Sequence, residues 1–236
     1  HRASGALVLP YDNKNQLLKA SSLGREFFLR FWPLRSELWR RGVFGGGTYL
    51  SSGKSWWEWH QLPKDGGAHS WSLAFSFVST HNNFVVSRGG IFNRSAPVIK
   101  LPKEATEDQH LELLGVLNSS AACFWLKQVS YPKGGDPMGD SGARVSAESW
   151  SDRYEFTGTK LKEFPLPSKL PLARSKEIDS LAQKLSSLEP SALTESSTPS
   201  AEALREAHAE YTANRRRMIA LQEELDWDVY HRYALI

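Results

Sequence analysis

Ser70-Trp71-Ser72-Leu73-Ala74-Phe75-Ser76-Phe77-Val78 alternates polar with apolar side chains, the period of a strand that shows one face to a core. Downstream, Phe84-Val85-Val86 and Pro97-Val98-Ile99 flank the turn signals Arg88-Gly89-Gly90 and Asn93-Arg94-Ser95, which predicts further strands. From Glu107 to Lys127 the period changes. Leu111, Leu114, Leu117, Ala121, Trp125 and Val129 recur at spacings of three and four, so the stretch predicts one helix with its apolar face in the core. Residues 132–149, with Gly134-Gly135-Asp136-Pro137 and then Gly139 to Gly142, read as a long loop, and Tyr154-Glu155-Phe156 returns the chain to the core.

Upstream of the quoted strand, residues 24–41 mix Phe27, Phe28, Phe31, Leu34, Leu38 and Trp39 with five arginines. This reads as a short amphipathic helix broken or begun by Pro33. Gly45-Gly46-Gly47 then suggests an irregular loop feeding a short aromatic strand at Trp56-Trp57-Glu58-Trp59.

The texture changes again near residue 170. All 17 glycines fall at or before Gly158, and the Pro-rich stretch Pro165-Leu166-Pro167-Ser168-Lys169-Leu170-Pro171 marks the break. Residues 1–169 carry 21 Lys+Arg against 15 Asp+Glu, whereas residues 170–236 carry 8 against 11. Ser175 is placed to cap a helix carrying Ile178, Leu181, Leu185 and Leu188; residues 190–200 read as a linker; Ser200 is placed to cap a second helix reaching about Tyr230. Leu204, Tyr211, Met218 and Leu225 sit seven apart on that helix, interrupted by Asn214. The expected fold is α+β: a mixed body over 1–169 with strands and a buried helix, then a C-terminal helical pair over 170–236.

The 236 residues suffice for one large domain with an appendage, and 11% aromatics is too rich for a disordered chain. One cysteine, Cys123, excludes an internal disulfide framework and a Cys-based zinc module, and suits a reducing cytoplasm; among Ala122, Phe124 and Trp125 it reads as a small buried apolar group. No apolar run approaches the ~18 residues of a membrane span. A start at His1 instead of Met reads as a piece of a longer protein.

Enzyme constellations are sparse. Gly45-Gly46-Gly47 does not supply a G-x-G-x-x-G between strand and helix, and neither a Walker loop nor a G-x-S-x-G elbow occurs. His60, His69, His81 and Cys123 lack metal-ligand spacing. What remains is a set of polar and basic side chains in or beside the turns. Lys54, His60, Lys64, Arg88, Asn93 and Arg94 lie between the expected strands, and Lys133, Arg144 and Arg153 lie around the long loop. Such side chains grip phosphates or read base edges, and the basic body tilts them toward nucleic acid.

Several runs resemble the C-terminal part of the PglX-type methyltransferases of type 2 BREX phage-exclusion systems, related to phage growth limitation. They are Gly46-Gly47-Thr48-Tyr49 with Trp56-Trp57-Glu58-Trp59-His60-Gln61-Leu62-Pro63, and Phe92-Asn93-Arg94-Ser95-Ala96-Pro97-Val98-Ile99-Lys100-Leu101-Pro102. Further along come Leu113-Leu114-Gly115-Val116-Leu117-Asn118-Ser119-Ser120, Glu155-Phe156-Thr157-Gly158-Thr159-Lys160-Leu161 and Gln222-Glu223-Glu224-Leu225-Asp226-Trp227. The segment around Leu114–Ser120, with Phe164-Pro165-Leu166-Pro167, is also similar to the target-recognition regions of type IIG restriction-modification proteins.

The resemblance implies an N6-adenine DNA methyltransferase that uses S-adenosylmethionine. The adenine-holding Asn/Asp-Pro-Pro-aromatic motif of that family has no counterpart here, since Asp136-Pro137 is followed by Met138. No catalytic or cofactor residue is therefore carried over. The chain is expected to be a non-catalytic, cytoplasmic target-recognition part that binds double-stranded DNA and works with a methyltransferase half outside it. A scaffold that docks other phage-defence proteins is the alternative.

Overall fold

A computed structural model describes residues 8–12, 14–60, 71–90, 92, 95–134, 148, 151–195 and 198–236. The protein is α+β and divides into two compact units, Ala3–Ala68 and His69–Ile236, the latter counted with His1–Arg2. Sequence reading places a boundary at 169/170; both sides of that point lie in the second unit.

In the first unit, α1 (Arg25–Phe31) runs through a 3-10 turn, Trp32–Leu34, into α2 (Arg35–Arg40). Pro33 lies at the start of that turn, where its missing N–H costs nothing. Phe27 stacks on Trp56 with ring centroids 5.7 Å apart, and Trp56 and Tyr49 are buried. Residues 56–59 form turns and not the expected strand. The indoles of that run fill space between irregular segments: Trp57 Nε1 donates to Leu18 O, and Trp59 N donates to Tyr11 Oη. Gly45, Gly46 and Gly47 have φ of 91°, 98° and 87°, three successive left-handed residues that close the loop between the bridged pair Gly42 and Thr48.

The second unit holds two small antiparallel sheets. β1 (Ser72–Phe75) lies between β3 (Phe84–Ser87) and β4 (Val98–Ile99), while β2 (Val78–Ser79) and β5 (Tyr131–Gly134) flank β6 (Arg153–Glu155). Register is set by the apolar pairs Leu73↔Val86 and Phe75↔Phe84. β1 is buried on both faces, so its Ser72 and Ala74 pack inside as well. The expected loop at 132–149 begins as β5, and 135–147 lie outside the described residues.

The expected single helix over 107–127 is two. α3 (Glu107–Leu117) opens with a capping box, Thr106 Oγ1 accepting Gln109 N–H and Gln109 Oε1 accepting Thr106 N–H. It stops at Asn118, and α4 (Ser120–Val129) restarts with Ser119 as its cap. The break shifts the helical phase, so Ala122 and Leu126 are buried where the unbroken period predicts Ala121, Trp125 and Val129. Cys123 is half-buried, not inside the core.

Asn118 is what breaks the helix. Its Oδ1 accepts Phe84 N–H at 2.8 Å and its Nδ2 donates to Phe84 O at 2.9 Å, a side-chain amide pairing with β3 as another strand would. Asn82 Nδ2 donates to Leu117 O and Ser119 O from the same side. Helix and sheet are thereby locked around a core of Leu73, Phe75, Phe84, Leu111, Leu114, Val116, Leu117, Ala122, Leu126, Phe156 and Phe164.

After α5 (Gly158–Glu163), α6 (Leu172–Ser187) packs on α3. Ser175 does not cap α6. It lies one turn inside, buried, and its hydroxyl donates to Pro171 O at 2.6 Å. The 190–200 region contains a short helix, α7 (Pro190–Leu193), before α8 (Ala201–Arg232), which Ser200 caps through Ala203 N–H as expected. α8 runs antiparallel to α6, with ion pairs Lys184–Glu210, Arg217–Glu177 and Arg174–Glu224 in opposite chain order. No helix among the described residues is long and apolar enough to cross a membrane.

Candidate nucleic-acid interface

Of the nine expected contact residues, Lys64, Asn93, Arg94 and Arg144 lie outside the described residues. The other five fall in three places. Lys54 and His60 belong to the first unit, where both face the buried Tyr49 ring. Lys54 Nζ donates to Glu58 Oε1 at 2.5 Å, and that hydrogen bond holds the ammonium above its ordinary pKa. His60 is exposed, its ring 4.5 Å from that of Phe44.

Arg88 directly follows β3 and precedes Gly89. Its guanidinium donates to Glu107 Oε1 on α3 and to Asp179 Oδ2 on α6, each at 2.7 Å through Nη2, and lies over the Trp71 ring. Burial opposes the charge, but the hydrogen bonds donated to Asp179 and Glu107 outweigh it and raise the pKa further. Nε and Nη2 are thereby committed to carboxylates on two helices, so Arg88 joins α3 to α6.

Lys133 and Arg153 are brought together on adjacent strands, β5 and β6, where Gly134 pairs with Arg153. Lys133 is held by Glu155 at 2.5 Å and lies over Tyr131. The side chain of Arg153 is exposed and has no partner among the described residues.

The charge is also divided by unit. Residues 3–68 carry nine Lys+Arg against five Asp+Glu, while the rest of the chain carries 20 against 21. The whole positive excess therefore belongs to the first unit. Its exposed Lys14, Lys19, Arg25 and Arg30 have no ion pair among the described residues. Reading from the turns between strands misses them. A running charge count over 66 residues is the signal that finds them.

Neither of two cavities among the described residues adds a catalytic centre. One, about 150 Å³, is walled by Phe27, Phe31, Trp56, Trp57 and Trp59. The one charged group on it, Arg41, is spent on the carbonyls of Leu38, Trp56 and Glu58. The other, about 380 Å³ beside α6 and α8, is lined by Arg174, Glu177, Asp228 and Arg232, all ion-paired. Among the described residues no three His, Cys, Asp or Glu side chains converge as metal ligands. The glycine run 45–47 closes a loop and leads into no helix, and the sheets are antiparallel. These residues do not fit a nucleotide-type cofactor, which calls for a parallel strand, a glycine turn and a helix N-terminus.

No family model matches the chain. Over 205 residues, 86% of its length, it is 61% identical to the adenine-specific methyltransferase PglX of Streptomyces coelicolor. The chain spans 17% of that protein's length, so it is related to one piece of a methyltransferase.

Proposed function

We propose that the chain is a non-catalytic DNA target-recognition part of a PglX-like adenine-specific DNA methyltransferase in a phage-exclusion system. The identity of 61% to the Streptomyces coelicolor methyltransferase is the observation that carries this reading, and the basic first unit supports it. S-adenosylmethionine and the methyl-transfer residues then belong to the part of the protein outside this chain.

The mechanism is a division of labour. An adenine leaves the duplex stack to reach a methyltransferase pocket, at a cost of a few kcal/mol. Contacts to the flanking duplex offset that cost. Phosphate contacts fix the register, and each bidentate base contact adds about 1–3 kcal/mol of discrimination. Within the second unit, rigid support comes from α3, which packs on β1 and β3.

A second reading has its own observation. Phe124 on α4 and Trp227 on α8 are both largely exposed, as suits a surface that docks another defence protein. The separating experiment is binding to duplex DNA over a range of salt concentrations. A steep fall of affinity with salt is expected. Salt-independent or absent DNA binding would leave the docking reading.

A further inference from the structure

The α1–α2 segment exposes two of the first unit's unpaired cations, Arg25 and Arg30, together with apolar tips. On α1, Phe27, Phe28 and Phe31 face inward, while Arg25, Glu26, Leu29 and Arg30 form the exposed arc. Helical geometry sets Leu29 one turn from Arg25 on the same side, with Arg30 next to it around the axis. The 3-10 turn follows directly. Leu29, Trp32 and Leu34 are 58%, 49% and 51% exposed, three large apolar side chains within six residues. Arg35 lies 4.3 Å over the Trp32 ring and donates to Trp32 O, and that ring meets Trp56 edge-on. The tips are therefore held on a fixed base and do not trail from a loop.

Charge selects the occupant. Four arginines against Glu26 and Glu37 over residues 25–40 would set like charge against like in a second copy of the same face. Duplex DNA offers one phosphate per ~1.7 Å of axis, and its minor groove accepts apolar side chains against sugars and base steps. We propose that this α1–α2 face is a DNA-contact site, on which Arg25 and Arg30 neutralise phosphates while Leu29, Trp32 and Leu34 lie against sugar and base edges. The site rests on the reading that the chain binds duplex DNA, and it is separate from the turns that sequence alone singles out.

The experiment compares full-length protein with three double variants: Arg25→Ala/Arg30→Ala, Leu29→Ser/Leu34→Ser, and Lys133→Ala/Arg153→Ala in the second unit. Melting temperature is the folding control. Each lost phosphate contact removes about 0.9 from the slope of log affinity against log salt. The arginine pair should therefore flatten the slope by about two units and weaken binding about tenfold or more at 0.1 M salt. The leucine pair should weaken binding with the slope unchanged. Wild-type affinity and slope in a folded Arg25→Ala/Arg30→Ala protein would overturn the site, and loss in Lys133→Ala/Arg153→Ala alone would move the contact to the second unit. A wild-type protein that binds no duplex at all would instead overturn the DNA-recognition reading beneath it.

Discussion

Asp226 closes the N-terminus of a helix that begins 106 residues before it: Oδ1 accepts Ser120 N–H at 2.8 Å, and Oδ2 accepts the Ser120 hydroxyl at 2.5 Å. Ser119 satisfies Ala122 N–H locally, so Asp226 takes an end donor of α4 that the local cap leaves open. Gln222, one turn earlier on α8, donates to Asn118 O. Two runs that stand far apart in sequence, Leu117-Asn118-Ser119-Ser120 and Gln222-Glu223-Glu224-Leu225-Asp226, thus make one latch. Asp226→Ala should lower stability by about 1–2 kcal/mol in denaturant titration, and Asp226→Asn by less. An unchanged midpoint for Asp226→Ala would show that the latch contributes nothing.

Gly115 lets α3 and α6 cross closely. A Cβ there would lie 2.0 Å from Ser175 Oγ and 3.0 Å from Pro171 Cγ. Gly115→Ala is expected to cost about 1–3 kcal/mol by forcing the helices apart. Because Ser175 makes the worst clash, the loss in Gly115→Ala/Ser175→Ala should be smaller than the sum of the two single losses. A double-mutant cycle on urea unfolding measures this directly.

Arg88 should behave as a joint and not as a reader of DNA. Its side chain is one-third exposed, so the ion pairs to Glu107 and Asp179 are screened in part, and Arg88→Ala should cost about 1 kcal/mol. Affinity for duplex DNA and its salt slope should stay at wild-type values. A flattened slope in a stably folded Arg88→Ala protein would return this residue to the interface.

Tyr233 predicts an alkaline weakness. Burial pushes its phenol up to about 12, and the hydroxyl donates to Pro165 O at 2.5 Å. The folded state keeps this proton at pH values where the unfolded chain, near 10, releases it. The stabilisation is therefore complete below pH 10 and is lost as pH rises from 10 toward 12. Denaturant midpoints at pH 9, 10 and 11 should fall less steeply for Tyr233→Phe than for wild type.

The elements that sequence alone reveals are those with a local period. Leu73 and Phe75 at strand spacing, and Ser200 before an apolar heptad, lead directly to β1 and α8. The split of residues 107–129 is illegible because its cause is remote: Asn118 leaves the helix to pair with Phe84, 34 residues upstream. Ser175 misleads for the opposite reason, since a hydroxyl one turn inside a helix has the same local sequence as a cap. The tryptophans at 56–59 carry strand propensity, yet partners such as Leu18 and Tyr11 hold them in turns. Among the contact candidates, Lys54, Arg88 and Lys133 have acidic partners that only the folded chain supplies. Arg25 and Arg30 are plain in the sequence, but their exposure and their lack of acidic partners among the described residues come only from the folded chain.

The latch also imposes an order on biosynthesis. At roughly 5–20 residues per second, Asp226 leaves the ribosome at least about 5 s after Ser120. Through that interval the start of α4 lacks one of its end partners, while Phe84 and Asn118 are already available to each other. The sheet side of the junction can therefore close on the nascent chain before the tail side, which waits for Asp226. A ribosome stalled before Asp226 is added would hold a half-fastened junction that chaperones and proteases can tell from the finished one.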